Sequence, residues 1–233
     1  MIPDLRALLG MPQTAIWPAI RPAIRTAIRP TIRPALMLAV VATLAACGGS
    51  PPSFDPSTPC GDGGRAAGAY PDLEARLPTA FEGRAATSVD SGRHCSDAAL
   101  GSLITHGAAG IRFAGATWDL GNGRGFSSVV FALPSGDLPA AWIAEFYEIG
   151  ARTAKRTENI ATSRPDLAGA GTTWRLDTLN DLSFQTVITW QDGPRARVVL
   201  VATPVNLDAS RAAHDDLVTR AVAATVGAAA AGG

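Results

Sequence analysis

Three histidines, His94, His106 and His214, are the residues of this chain best suited to acid–base chemistry, because imidazole titrates near neutral pH. They fall on unrelated segments, and no H-E-x-x-H pattern sets two of them on one helix face. The densest polar cluster is His214-Asp215-Asp216. On a helix its three side chains point in successive directions, so a solvated face is expected. A G-x-S-x-G nucleophile elbow is missing, and Ser127-Ser128 reads as strand surface. Gly121-Asn122-Gly123-Arg124-Gly125 departs from G-x-G-x-x-G and lies between two strands, so it reads as a hairpin loop and not as a phosphate cradle. No calcium loop or metal-ligand spacing stands out, so neither a metal nor a cofactor is expected. Trp118, Trp142, Trp174 and Trp190 each suit a core position; two of them exposed together would make a platform for a sugar or peptide.

The cysteines say more. Leu44-Ala45-Ala46-Cys47 closes a 12-residue apolar run, Ala35 to Ala46. The run fits the ~7–15 residues of a signal-peptide core and falls short of the ~20 that span a bilayer. Ahead of it Arg21, Arg25, Arg29 and Arg33 recur every four residues in a proline-interrupted, low-complexity repeat that supplies positive charge. Met1 and Met11 are both candidate starts. After it, from Gly48 to about Gly68, comes a Gly-, Pro-, Ser- and Asp-rich stretch that reads as a flexible tether.

This arrangement resembles a bacterial lipoprotein precursor, with Leu44, Ala45, Ala46 and Cys47 as its lipobox. The resemblance implies cleavage before Cys47, a diacylglyceryl group on its sulfur, and anchoring to the membrane at the extracytoplasmic face of the cell envelope. Two or more acyl chains hold stably where one is marginal. If Cys47 carries lipid, Cys60 and Cys95 remain as an even pair in an oxidising compartment, and a disulfide between them is expected. The rival, a metal held by Cys60, His94 and Cys95, has poor ligand spacing.

Charge follows the same division. The chain is formally neutral, but residues 1–46 carry five arginines against Asp4. The remainder has 15 basic and 19 acidic residues, a net of −4. A mildly acidic body gives no clustered positive face for phosphates, so nucleic acid is not an expected partner. Lys155 is the sole lysine against nineteen arginines, which reads as compositional bias.

The residues must be positioned by a body from Tyr70 to about Gly227, with 47–69 as tether and 228–233 as a disordered tail. Residues 96–107 read as a helix capped by Ser96 and Gly107. Residues 109–120 and 126–133 read as strands around the Gly121–Gly125 loop. A second helix over 137–153, capped by Asp137 or Leu138, would bury Trp142, Ile143, Phe146 and Ile149. Strands follow at 172–179, 183–190 and 195–204. The last is the most continuously apolar and so central, and Gln191–Pro194 turns the chain between the last two. A final helix runs from about Ala209 to Val226, capped by Asp208 and stopped by Gly227. The order suggests an α+β fold: one mainly antiparallel sheet with about three helices on one face, ferredoxin-like or PsbP-like. The function expected is a non-catalytic binding or envelope-interaction module whose partner is an envelope protein, a cell-wall polymer or a small ligand. The alternative is an extracytoplasmic hydrolase with a site assembled from distant segments.

Overall fold

The computed structural model describes residues 54–60, 63–180, 182–205 and 210–231. The lipobox, the basic repeat, Cys47 and the proposed cap Asp208 lie outside them.

Twelve strands form: β1 Gly64–Ala66, β2 Ala80–Phe81, β3 Arg84–Ala85, β4 Ser88–His94, β5 Ile111–Gly121, β6 Arg124–Ala132, β7 Glu158–Ser163, β8 Asp166–Leu167, β9 Gly171–Thr172, β10 Trp174–Asn180, β11 Ser183–Asp192 and β12 Arg195–Pro204. Four helices accompany them: α1 Pro71–Glu74, α2 Asp97–Leu100, α3 Ala140–Thr153 and α4 Arg211–Ala231. Eight strands make one antiparallel sheet in the order β1-β4-β5-β6-β12-β11-β10-β7. Two small hairpins, β2-β3 and β8-β9, stand apart from it. The large sheet is thus two meanders joined through their last strands, β6 and β12.

This corrects the expected fold. The molecule is richer in sheet than a three-helix α+β packing, and its helices cover both faces. The reason lies in the two central strands. In β12, Ala196, Val198 and Leu200 point to one core while Val199 and Val201 point to the other. In β6, Val129 and Phe131 alternate in the same way with Phe126 and Val130. A strand apolar on both sides needs cover on both sides. One core lies under α3 and the turn Gly101–His106; the other lies under α1 and α4. The continuous apolar run in β12 was the sign of this, but it was read only as a central position in one sheet.

Several local expectations are corrected too. The helix expected at 96–107 breaks at Gly101, whose φ of +51° ends α2; a 3-10 segment, Gly101–His106, carries on to a left-handed cap at Gly107. The buried stripe of α3 is Ala140, Ile143, Tyr147 and Ala151, not the tryptophan-bearing stripe, and Ile149 is exposed. Small alanines let the helix sit close to the sheet, which turns Tyr147 inward and leaves Trp142 and Phe146 at the margin. The first free amide of α3 donates to the Gln191 side chain in the β11–β12 turn (2.8 Å). At α4, the Ser210 hydroxyl caps the helix by accepting from the Ala213 amide (3.1 Å). The helix then continues through Gly227, because the alanines beyond it favour helix enough to offset one glycine.

The Cys60–Cys95 disulfide is present, its Cα atoms 5.4 Å apart. Gly110 lies against it, where a Cβ would come within 2.8 Å of the Cys60 sulfur. Arg93 holds the same segment. Its guanidinium donates to the carbonyls of Pro56 (3.2 Å), Thr58 (2.5 Å) and Pro59 (3.2 Å) and to the Thr58 hydroxyl (2.7 Å), and it lies over the Phe54 ring. Residues 54–60, expected to belong to the tether, are therefore docked on β4 as part of the folded body.

Candidate functional site

The polar groups of the body gather on opposite sides of the outer meander, β10–β12. Under α4 they form a closed network. Asp177 of β10 accepts from Arg175 (2.7 and 3.0 Å), from Arg211 (2.8 Å) and from the Thr186 hydroxyl (2.5 Å). Asp215 of α4 pairs with Arg175 and with Arg211. His214, 1% exposed, sits between two hydroxyls: Thr186 Oγ1 at 2.7 Å from Nε2 and Thr203 Oγ1 at 2.8 Å from Nδ1. Since Thr186 gives its proton to Asp177, the consistent tautomer has His214 Nε2–H donating to Thr186 and Nδ1 accepting from Thr203.

Electrostatics follow from this packing. Burial pushes the Asp177 carboxyl up, but hydrogen bonds from Arg175 and Thr186 and the two arginine charges hold it below the usual range. Burial, reinforced by Arg211, lowers His214 to about 4, so its ring is neutral at pH 7. His214 is thus not the solvated residue expected from the triplet; Asp215 is half-exposed and paired, and Asp216 is an exposed partner of Arg220 (2.6 Å). Each ring atom that could move a proton already has a partner. A wide cleft of about 680 Å³ borders His214, with Arg84, Arg124, Arg220, Glu82 and Asp216 at its margin.

The side under α3 differs. A groove of about 220 Å³ lies between α3 and strands β7, β10 and β11. Its floor is Trp174, Leu176, Val187 and Thr189, set side by side by the register Trp174↔Thr189 and Leu176↔Val187. Its wall is Ala144, Tyr147 and Glu148 of α3, and its rim is Thr162, Ser163 and Arg164. Tyr147 is 2% and Thr189 1% exposed, yet neither hydroxyl has a hydrogen-bond partner among the described residues. Burial alone raises the Tyr147 phenol, with no hydrogen bond opposing it. Neither oxygen is among the fully buried polar atoms that lack a partner, so both hydroxyls open onto the groove, where a ligand can pair with them.

The charges around the groove are unequal. Glu148 is held by Arg152 through two bonds of 2.9 and 2.7 Å, and Arg175 by Asp177 and Asp215. Arg164 is exposed, lies 5.2 Å above the Trp174 ring, and has no carboxylate partner among the described residues. Trp174 is half-buried here, whereas Trp118 and Trp190 are core residues.

The remaining expected residues lie elsewhere. His94 is buried, stacked on Phe113 (4.8 Å between centroids), and lowered to about 4 by burial and by Arg65. His106 stacks on Trp142 and bonds Glu145 at 2.8 Å near the surface. Ser127 and Ser128, expected at a strand surface, are buried. The disulfide takes both thiols of the rival metal reading, and no group of three metal-ligating side chains occurs among the described residues. No helix among the described residues is long and apolar enough to cross a membrane. Sequence reasoning missed Tyr147, Thr189 and Arg164. The helical spacing from Ala140 to Tyr147 was a usable signal for the first; nothing local pointed to the other two. The chain matches no family model and no curated protein.

Proposed function

We propose that this chain is a lipid-anchored protein of the extracytoplasmic envelope that binds a small ligand in the groove under α3 and performs no chemistry on it. One observation carries the binding part: the hydroxyls of Tyr147 and Thr189, with no hydrogen-bond partner among the described residues, open onto a concave, partly aromatic groove, while the buried imidazole of His214 has both nitrogens engaged. A neutral ring whose protons are already shared is a poor general base, so this reading is preferred over a hydrolase. The lipobox Leu44-Ala45-Ala46-Cys47 supports the anchor, and the Cys60–Cys95 disulfide agrees with an oxidising compartment.

The docked segment at Phe54 makes the anchor short. Only residues 48–53 separate Cys47 from the folded body, so the extended chain reaches at most about 25 Å. The body would rest close to the membrane surface. Labelling cells with a fatty-acid analogue tests the anchor: wild type should incorporate label and sediment with membranes, and Cys47→Ala should do neither. Equal labelling of the two proteins would refute it.

A further inference from the structure

We infer that the groove under α3 takes a small aromatic carboxylate, with Arg164 binding its charge and Trp174 its ring. The inference rests on the binding part of the reading above and is independent of the lipid anchor.

The argument begins with charge. Glu148 faces the groove already neutralised by Arg152, and the Arg175 guanidinium is turned to the α4 side, whereas Arg164 has no carboxylate partner among the described residues. The groove therefore has one uncompensated positive charge at its rim. A guanidinium presents a planar fork that matches a carboxylate by two parallel hydrogen bonds. Hydroxyls come next. The Tyr147 and Thr189 hydroxyls line the groove with no partner among the described residues, and each can donate to a carboxylate oxygen or accept from a ring substituent. The floor then sets the body of the ligand. Trp174, Leu176 and Val187 offer an indole face and two aliphatic side chains, a surface suited to a flat apolar ring. Size is the last constraint. Drug-sized pockets run from ~300 Å³ upward, so a groove of about 220 Å³ holds roughly one ring with its substituent. A polymer or a folded partner would touch this groove with one group only.

The geometry also suggests how the site is kept ready. Arg164 rests over Trp174, 5.2 Å from the ring centroid, a cation–π contact that holds the guanidinium at the groove's rim beside the indole. A carboxylate at the rim would draw the guanidinium toward itself and leave indole face for the ring.

The test uses the full chain, purified from membranes in detergent, with benzoate as probe and benzamide as its neutral, nearly isosteric control. Binding is read by equilibrium dialysis and by tryptophan fluorescence. Benzoate is expected to bind with a Kd on the order of 0.1–1 mM, in keeping with the efficiency of small ligands, and about tenfold tighter than benzamide. Arg164→Gln should weaken benzoate about tenfold and change benzamide less than about twofold. Tyr147→Phe should weaken both, with the melting temperature unchanged. Equal affinity for the two probes, or an Arg164→Gln protein that binds benzoate as wild type does, overturns the ligand class and leaves the groove as a binding site. A folded protein that binds neither probe overturns the groove as well.

Discussion

The two sides of the outer meander hold similar polar residues and use them differently. Under α4, Asp177, Thr186, His214 and Thr203 form a chain in which every proton has a place, with Arg175, Arg211 and Asp215 closing it electrostatically. Under α3, Tyr147 and Thr189 are buried residues whose hydroxyls open onto the groove and have no partner among the described residues. A satisfied buried network holds one conformation and offers little to a ligand; hydroxyls open to a groove are free to pair with one. The buried histidine would draw attention first on residue type alone. On the proposed reading, this difference in hydrogen bonding gives the α4 side to stability and the α3 side to binding.

This comparison can be broken by experiment. Asp177→Ala leaves Arg175, Arg211 and Thr186 without their common acceptor and should cost about 2–3 kcal/mol of unfolding free energy, since orphaning partners of a largely buried charge is strongly destabilising. Chemical denaturation would read it, and a loss below about 0.5 kcal/mol would remove the α4 network from its structural role.

Acid should act on the same side. His214 has a folded pKa of about 4 against an ordinary value of 6.5, so the unfolded chain binds its proton first as pH falls. Its stabilising contribution is full above pH 6.5, declines below it, and is lost as pH reaches about 4; at most this amounts to about 3 kcal/mol. His94, also lowered to about 4, adds a slope of the same sign from the α3-side core. The contribution of one histidine is isolated by comparing wild type with His214→Gln. The variant should be less stable at pH 7 and show a shallower loss between pH 6.5 and 4; parallel curves would contradict the assignment.

The smallest effect is expected on the α3 side. Thr189→Val replaces an unpartnered hydroxyl by a methyl group of similar shape. It should change stability by no more than about 0.5 kcal/mol, in either direction. A loss above about 1.5 kcal/mol would mean that the hydroxyl is paired within the fold, and the contrast between the two sides would disappear.

Much of the framework was readable from residues. The strands β5, β6, β10, β11 and β12 follow apolar alternation and turn chemistry. Asn122 and Gly123, both at positive φ, make the tight β5–β6 turn, and Gly193 serves the same end between β11 and β12. The outer strands were not readable. β7 reads Glu-Asn-Ile-Ala-Thr-Ser and is almost wholly exposed; β4 begins Ser-Val-Asp-Ser and carries no apolar period. Such strands are recruited by the backbone groups of their neighbours, which residue types do not encode. The groove was hidden for the same kind of reason. Its residues come from α3, β7, β10 and β11, and whether a hydroxyl is paired depends on what tertiary packing brings within about 3 Å.

By itself the sequence determined the pairing partners Cys60 and Cys95, once Cys47 was set apart, and the central strands whose two apolar sides need cover. Those are consequences of residue type and of period along the chain. Only the tertiary structure decided that helices cover both faces, that Arg93 docks the segment beginning at Phe54, and that His214 is satisfied while Tyr147 and Thr189 are not. Each of these depends on distance between groups far apart in the chain, and hydrogen bonding falls off over an ångström while sequence spacing says nothing at that scale.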